Sequence, residues 1–571
     1  MSNKKLEIFL ILIILLILIP LLKPWYIFSL DQVIDPNWWI PMIGSHLYWV
    51  WLLSQVFIFF HIPIWVLEKI LILIIFILPI IWWYLLLKRL NNNYAILFWL
   101  LFLLFNPFFY DRFLDGQINI YLSYSLYPLF FYFLITLFQS FSIKKVIIVS
   151  LFSLLLCLTS IHNALFLFFI FLSFFLAYFK KIKIIDIIKL WSFVLIVNSI
   201  WIIPLFLINT NKFELINEIN NFWYLHREAF QTLKGDVNIY FNTLSLHWYW
   251  GENQNRFLLN KSLNPRRYNL FIFIFLIILL WIISKIDIKN KKLNFYNFEY
   301  AFIFIWVISY IFSLWISSSN IFYDINQFMY NYFPFYKWMR EPQKWIMFLV
   351  IIYAYFWSLW VKFLYDKLLK IYFINSFFKK IIFLIIIFTP IFYTPYIIWW
   401  FMWQVVIKNY PKEREEIKKY MQNVNSSECP YMVLKKSNGC YKAISFPWHG
   451  YIWIEWIGKV VWWWIVRYFW NNILYGDNIE IWNIYTQSTR PESKIIEKYI
   501  WPSWLFRKNK ISDTELENFI KDLKWLWIKY IILLKEADWK YYKLILNILE
   551  KKWYIVLAKE NKMVFLYKII Y

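Results

Sequence analysis

The sequence predicts a polytopic α-helical membrane protein that ends in a soluble α/β domain. Of its 571 residues, 62% are hydrophobic and only 16% are charged. The apolar residues form runs close to the roughly 20 residues that cross a bilayer as a helix. After Trp403 the hydropathy drops. We therefore divide the chain into a transmembrane domain, residues 1–403, and a soluble domain, residues 404–571.

The apolar runs predict about eleven transmembrane helices. The first run follows Lys4 and Lys5, as in a signal peptide. No small-residue cleavage site follows it, so we interpret it as a retained span. The predicted spans cover approximately residues 6–22, 66–87, 94–109, 118–138, 146–160, 164–179, 187–208, 268–284, 299–316, 345–363 and 381–403.

The distribution of lysine and arginine predicts the orientation in the cell membrane. With a cytoplasmic N-terminus, the basic clusters between spans fall on the cytoplasmic side, as the positive-inside rule requires. Counting the apolar segment 45–65 as a span would place the later basic clusters on the outer side. We therefore interpret this segment as an interfacial helix on the outer face. An odd number of spans makes the soluble domain extracytoplasmic. The large outer loops are residues 23–65, 209–267 and 317–344.

The C-terminal domain mixes strand-like runs with helices. One helix is predicted to begin at Ser512, because Ser512 and Glu515 fit a capping box. Cys429 and Cys440 flank a predicted hairpin turn at residues 437–439. A disulfide between these cysteines suits an oxidising compartment, and two unpaired thiols are the alternative.

Glycine and tryptophan are used in unusual amounts. The chain has 8 Gly and 38 Trp, whereas Gly alone averages about 7% of residues. Tryptophan also stands where glycine is expected: Trp525 and Trp527 lie at a predicted helix-to-strand junction that usually needs a positive φ. One hypothesis is that many of these residues are glycine codons (UGA) translated with the wrong code. The alternative is a protein rich in interfacial tryptophan.

The formal net charge of +25 does not indicate nucleic-acid binding. The basic residues lie between apolar runs and follow no nucleic-acid-binding module, and an AT-rich genome accounts for part of the lysine excess. No P-loop lysine, Rossmann fingerprint or HExxH motif is present, so ATP-driven work, nicotinamide chemistry and zincin proteolysis lack support.

Candidate site residues gather in the predicted outer loops, whereas the cytoplasmic loops contain mainly lysine. The candidates are Asp31 and Asp35 in the first outer loop, Asp111, Arg112, Asp115 and Gln117 in the next, His162 in the third, and Arg340, Glu341 and Lys344 in the last.

These residue types suit group transfer from a lipid-linked phosphate donor. A carboxylate accepts a proton from a hydroxyl or holds a divalent cation. Asp31 is the first candidate for either role, and Asp35 is a second catalytic candidate. Basic side chains neutralise the departing phosphate. We assign that role to Arg112, Arg340 and Lys344, with Asp111, Asp115, Gln117, His162 and Glu341 as supporting residues.

Each candidate also has a structural interpretation. The segment around Asp31 and Asp35 has good turn chemistry, and Asp111 with Arg112 can form a local ion pair of little energetic value. His162 is more often a hydrogen-bonded structural histidine than a ligand. The basic residues at 340–344 can anchor a helix at the membrane surface.

The stretch "YKWMREPQKWIMFLV" joins the last of these clusters to an apolar run. Pro342 suits the first turn of the predicted span, where a missing N–H costs nothing. The free amides of that helix N-terminus favour an anion. We therefore expect Arg340 and Lys344 to grip a donor phosphate, with Glu341 holding Arg340.

The chain resembles the GT-C superfamily of membrane glycosyltransferases in its many spans, its acidic residue in the first long outer loop and its outer C-terminal domain. More narrowly, "HIPIWVLEKILILIIFILPIIWWYLLLKRL", "NPF" and "MREPQKW" look like the membrane module of α-(1→3)-arabinofuranosyltransferases. The resemblance covers about residues 1–400. It implies inverting transfer from a polyprenyl-phosphate sugar to a glycan, lipid or protein acceptor, with Asp31 as base.

Two other functions stay open on sequence grounds. A lipid or polysaccharide transporter would more naturally carry charges within its spans and internally repeated halves. A non-catalytic envelope scaffold would tolerate replacement of Asp31.

Overall fold

The computed structural model is mostly helical, with strands mainly towards the C-terminus. It describes residues 3–32, 48–87, 92–207, 238–247, 258, 286–287, 292–293, 296–314, 321–333, 336, 342–368, 375–398, 400–423, 443–462, 465, 468–469, 473–476, 478–481, 484–486, 488, 491–500, 512–537 and 539–570.

The α-helices of the described residues follow the apolar runs and, towards the C-terminus, amphipathic segments. They are α1 Asn3–Leu21, α2 Tyr48–Phe59, α3 Ile64–Leu87, α4 Asn93–Leu104, α5 Pro107–Asp115, α6 Ile118–Gln139, α7 Ile143–Thr159, α8 His162–Tyr178, α9 Ile184–Leu207, α10 Ile239–Leu244, α11 Asn297–Leu314, α12 Ile321–Tyr332, α13 Ile346–Leu368, α14 Ser376–Tyr393, α15 Lys412–Asn423, α16 Pro491–Ile500, α17 Asp513–Trp525 and α18 Lys540–Lys551.

Several helices could span a membrane. Within the described residues, five helical stretches are long and apolar enough. They are Asn93–Asp115, which comprises α4 and α5, and Ile118–Gln139, Ile184–Ile203, Asn297–Leu314 and Gln343–Asp366. Ile11–Leu21 and His162–Tyr178 are shorter apolar helices. Every predicted span overlaps a helix except the one at 268–284, which lies outside the described residues. The total of about eleven spans stays a prediction.

Two predicted spans differ from the observed helices at their C-terminal ends. The run 94–109 is broken between α4 and α5, because Asn106 caps a new helix that continues to Asp115. The run 381–403 stops being α-helical at Tyr393. Thr394 is followed by Pro395, and a residue before proline is pushed out of the helical region.

The membrane helices pack through aromatic and aliphatic side chains. α13 packs against α4, α6 and α9 pack against α7, and α8 packs against α11. Phe102 of α4 meets Trp357 of α13 edge-on, with ring centroids 4.4 Å apart. On α9, Ile196 and Ile200 are 66% and 67% exposed. Such an apolar outer face is compatible with lipid contact.

The strands form one five-stranded sheet and several two-stranded pairs. The strands are β1 Tyr26–Phe28, β2 Ile286–Asp287, β3 Lys292–Leu293, β4 Val406–Lys408, β5 Ala443–Phe446, β6 Tyr451–Ile454, β7 Lys459–Trp462, β8 Ile473–Leu474, β9 Ile479–Ile481, β10 Ile484–Thr486, β11 Tyr530–Leu534, β12 Ile555–Glu560 and β13 Val564–Ile569. The large sheet has the order β12-β13-β11-β5-β8. β5 runs parallel to β8 and β11, and β13 runs antiparallel to β11 and β12.

Helices α17 and α18 share one hydrophobic core with this sheet. Leu523 and Leu549 of the helices are buried in the same cluster as Ile531 of β11. The predicted capping box at the start of α17 is confirmed: Ser512 and Glu515 bond reciprocally. The C-terminal segment is therefore a mixed α/β structure. Cys429, Cys440 and their predicted hairpin lie outside the described residues.

The chain divides into two compact units. We call them the membrane unit and the sheet unit. The membrane unit contains most of Lys69–Val405, together with the chain up to Leu22. The sheet unit contains the chain from Val406 onwards, together with Trp51–Glu68 and the described residues between Lys23 and Pro41. The first predicted outer loop thus contributes to the unit that holds the sheet.

Candidate functional site

Helix α5 carries three of the candidate residues, and its sequence fixes both of its ends. The Asn106 side chain accepts a hydrogen bond from the Phe109 N–H at 2.9 Å. It also donates to the carbonyls of Phe102 and Leu103, which end α4. Gly116 follows the helix with φ 76°, a left-handed conformation that glycine adopts without cost.

The acidic and basic residues of α5 are buried. Asp111 and Arg112 have no exposed surface and Asp115 has 2%. Asp111 and Asp115 are one turn apart on the same helix face. The Arg112 guanidinium donates a hydrogen bond to the Gln117 side chain. The sequence predicts that Asp111, Arg112, Asp115 and Gln117 lie in a loop. This prediction was wrong for Asp111, Arg112 and Asp115, because the helix that Asn106 caps continues through them.

Lys344 and His162 meet although they are far apart in sequence. Lys344 Nζ lies 3.5 Å from His162 Nε2, and Ser160 Oγ lies 2.9 Å from His162 Nδ1. Both Lys344 and His162 are half-buried. We call Ser160, His162 and Lys344 the cation region.

The cation region lies at the N-termini of two long helices in the membrane unit. His162 is the first residue of α8, and Lys344 lies in the 3-10 turn Pro342–Trp345 that leads into α13. The Asn163 and Ala164 amides at the start of α8 bond the Ser160 and Ile161 carbonyls at 3.0 and 3.1 Å. A helix N-terminus also carries the positive end of the helix dipole. An ammonium and an imidazole beside two such ends give a region suited to an anion.

A buried amide holds the start of α8. The Asn163 side chain donates to Ser123 Oγ at 2.8 Å and to the Leu156 carbonyl at 2.6 Å, and it accepts from the Tyr127 hydroxyl at 2.8 Å. Asn163 is completely buried. It therefore fixes the helix end on which the half-buried His162 stands.

In the sheet unit, Asp31 is half-buried at a turn that follows β1. Its carboxylate accepts a hydrogen bond of 3.2 Å from the Tyr451 hydroxyl of β6. β1 pairs antiparallel with β4, and the Ser29 N–H bonds the Gln32 carbonyl at 3.1 Å. The backbone bends at Asp31, and this bend positions the carboxylate. Most of the segment in which the sequence predicts a turn, residues 33–37, lies outside the described residues.

A second carboxylate, that of Glu68, bonds residues on both sides of Asp31. Glu68 is completely buried. It accepts hydrogen bonds from the Ile27 N–H at 3.0 Å and from the Gln32 side-chain amide. These bonds fix the backbone on both sides of Asp31. We call Asp31, Gln32, Glu68 and Tyr451 the acid region.

Sequence reasoning missed Glu68 and Tyr451. Glu68 had a usable signal, because it is an acid in the otherwise apolar run "IWVLEKILI", and such residues are costly unless they bond to specific partners. Tyr451 had none, since its contact with Asp31 joins residues that are 420 positions apart.

The remaining site predictions have different outcomes. Asp35, Arg340 and Glu341 lie outside the described residues. The described part of the chain contains no group of three His, Cys, Asp or Glu side chains that could hold a metal ion. A divalent cation bound by Asp31 stays a prediction.

No protein-family model matches this chain, and a search of curated proteins finds no match to it.

Proposed function

We propose that the protein is a membrane glycosyltransferase that uses a polyprenyl-phosphate sugar donor. The acceptor is a cell-envelope glycan, lipid or protein on the outer face of the membrane. The observation that carries the proposal is the cation region, where Lys344 and His162 lie 3.5 Å apart at two helix N-termini. A phosphate is the anion that such helix ends commonly bind.

The residues divide the reaction between them. Lys344 and His162 bind the donor phosphate, and Arg112 provides a further cation. Asp31 removes the proton from the acceptor hydroxyl as that oxygen attacks the anomeric carbon. The bond from the anomeric carbon to the phosphate oxygen breaks, and the cations stabilise the leaving phosphate. The product has inverted configuration at that carbon.

The proposal includes the orientation inferred from lysine placement, with about eleven spans, a cytoplasmic N-terminus and an extracytoplasmic C-terminal domain. A cysteine introduced at Glu515, on the first turn of α17, should react with a membrane-impermeant thiol reagent added outside intact cells. Reaction only after the membrane is opened would contradict this orientation.

The binding experiment compares a polyprenyl monophosphate with the polyprenol of the same length. The protein in detergent should bind the phosphate more tightly. Lys344→Ala should weaken phosphate binding by roughly 10- to 100-fold, because a hydrogen bond to a charged group contributes about 1.5–3 kcal/mol. Polyprenol binding should not change.

Lys145→Ala is the matched control. Lys145 also stands at a helix start in the membrane unit, but its ammonium bonds the Thr136 and Ser140 carbonyls at 3.0 and 2.9 Å. Its removal should leave phosphate binding intact. Equal binding of phosphate and polyprenol by the parent protein would contradict the proposed donor and favour a scaffold.

A further inference from the structure

Tryptophan dominates the left-handed backbone positions of this protein. Among the described residues, nine non-glycine residues have positive φ, and five of these are Trp. They are Trp25, Trp400, Trp403, Trp527 and Trp553, with φ between 54° and 96°. A side chain with a Cβ is strained in this region, and a bulky residue there is a genuine outlier.

Trp527 ends α17 in the way that glycine usually ends a helix. Its N–H bonds the Lys524 carbonyl at 2.9 Å, and the next N–H, of Ile528, bonds the Leu523 carbonyl at 3.0 Å. This pair of bonds defines a Schellman motif, in which the residue at the left-handed position is usually Gly.

Trp553 repeats this geometry after α18. Its N–H bonds the Glu550 carbonyl at 3.0 Å, and the Tyr554 N–H bonds the Leu549 carbonyl at 3.0 Å. Gly116 shows the same pattern after α5, where the Gly116 and Gln117 amides bond the Phe113 and Arg112 carbonyls. Among the described residues, the same pair of bonds also ends α2 at His61 and α10 at Leu246. This helix ending therefore occurs with Gly116, with Trp527 and Trp553, and with two other residues.

Trp400 and Trp403 are the first and last residues of a run of four left-handed residues. Phe401 and Met402 between them also have positive φ, at 52° and 51°. Left-handed conformation costs roughly 1–2 kcal/mol per residue for L-amino acids other than glycine. Glycine at both ends of the run would remove half of that cost.

Most of these indole rings contribute little to packing. Trp403, Trp527 and Trp553 are 64%, 67% and 78% exposed, and Trp25 is 44% exposed. Large aromatic side chains are normally retained because they bury area. At these positions the backbone conformation favours glycine. Trp400 differs from the others, because its indole N–H donates to the Leu16 carbonyl at 2.8 Å and its ring packs edge-on against Trp403.

We infer that the native protein carries glycine at positions 25, 400, 403, 527 and 553, because its source reads the UGA codon as glycine. The composition of 8 Gly and 38 Trp agrees with this assignment. The four positive-φ residues that are not Trp, namely His61, Leu246, Phe401 and Met402, keep their identities. The inference is independent of the proposed glycosyltransferase activity.

Peptide mass spectrometry of the protein purified from its own source tests the inference directly. The peptides that contain positions 527 and 553 should have the mass of glycine at those positions. Tryptophan at both would overturn the inference.

A second experiment uses the full chain expressed with tryptophan in a standard host. Trp527→Gly and Trp553→Gly should each raise the midpoint of thermal unfolding by roughly 1–4 °C, because they relieve the left-handed strain. Trp525→Gly is the matched control. Trp525 is 68% exposed, but it is the last residue of α17 and has no positive φ, so the expectation that it occupies a glycine position was wrong. Glycine at position 525 should therefore lower the midpoint. A lower midpoint for both Trp527→Gly and Trp553→Gly would contradict the inference.

Discussion

The acid region and the cation region are built in the same way with opposite charge. Each has a completely buried polar residue that fixes the backbone: Glu68 bonds the turn that carries Asp31, and Asn163 holds the helix end that carries His162. Each also has a half-buried charged residue, Asp31 or Lys344, in contact with a neutral hydroxyl or an imidazole.

The difference in charge divides the expected roles. A carboxylate beside a phenol can accept a proton, whereas an ammonium beside two helix N-termini can hold an anion. Variants of Asp31 should therefore change the rate of the chemical step, and variants of Lys344 should change donor binding. Variants of the buried residues should change stability together with function.

The largest effect is expected for Asp31→Asn. The amide keeps the shape of the side chain but cannot accept the proton, so transfer should fall by roughly 10²- to 10⁴-fold. Binding of polyprenyl phosphate should stay the same, which separates this region from the cation region. Asp35→Asn should have a smaller effect. Single-turnover transfer assays in proteoliposomes measure both, and full activity of Asp31→Asn would favour a scaffold.

The second-largest effect is expected for Glu68→Ala. It leaves the Ile27 N–H and the Gln32 amide without their buried acceptor, which typically costs about 1–3 kcal/mol for each buried group. Thermal unfolding should therefore shift to lower temperature, and transfer should slow because the turn under Asp31 loosens. Glu68→Gln keeps an acceptor oxygen and should restore much of the rate.

Glu455→Ala is the control for Glu68, because Glu455 lies in the same unit with an exposed side chain. It should leave both stability and transfer unchanged. A Glu68→Gln variant as slow as Glu68→Ala, with normal stability, would contradict a positioning role and indicate that the carboxylate takes part in the chemistry.

A double-mutant cycle on Lys344 and His162 tests whether the cation region acts as one site. Lys344→Ala and His162→Ala should each weaken binding of polyprenyl phosphate. The double variant should lose less than the sum, with a coupling energy of about 0.5–1.5 kcal/mol, because contacting residues are not independent. Strict additivity would mean that the two side chains bind no common phosphate.

The parts of the fold that could be predicted depend on local sequence. Apolar runs predicted the membrane helices, and Ser512 with Glu515 predicted the start of α17, because both signals act within a few residues. Asn106-Pro107 carries a local signal for a helix start, because Asn is a favourable N-cap and Pro suits the first helical position. The span predicted at 94–109 did not use this signal.

The contacts that build the candidate regions could not be predicted in this way. The pairs Asp31–Tyr451 and Lys344–His162 are separated by 420 and 182 positions. Tertiary packing brings such residues together, and no periodicity or spacing in a single sequence encodes the partner. Residue type alone selected Asp31, His162 and Lys344 as candidates, since charged and titratable side chains suit phosphate-transfer chemistry. Their roles stay predictions.

The smallest effect is expected for Tyr451→Phe. The Tyr451 hydroxyl donates to the Asp31 carboxylate at 3.2 Å, and a hydrogen bond to the charged form stabilises that form. Tyr451→Phe removes this bond but leaves the carboxylate in place, so transfer should slow by roughly 2- to 10-fold, or about 0.5–1.5 kcal/mol. Single-turnover transfer assays measure the change. A loss as large as that of Asp31→Asn would contradict a supporting role and indicate that the Tyr451 hydroxyl takes part in the chemistry.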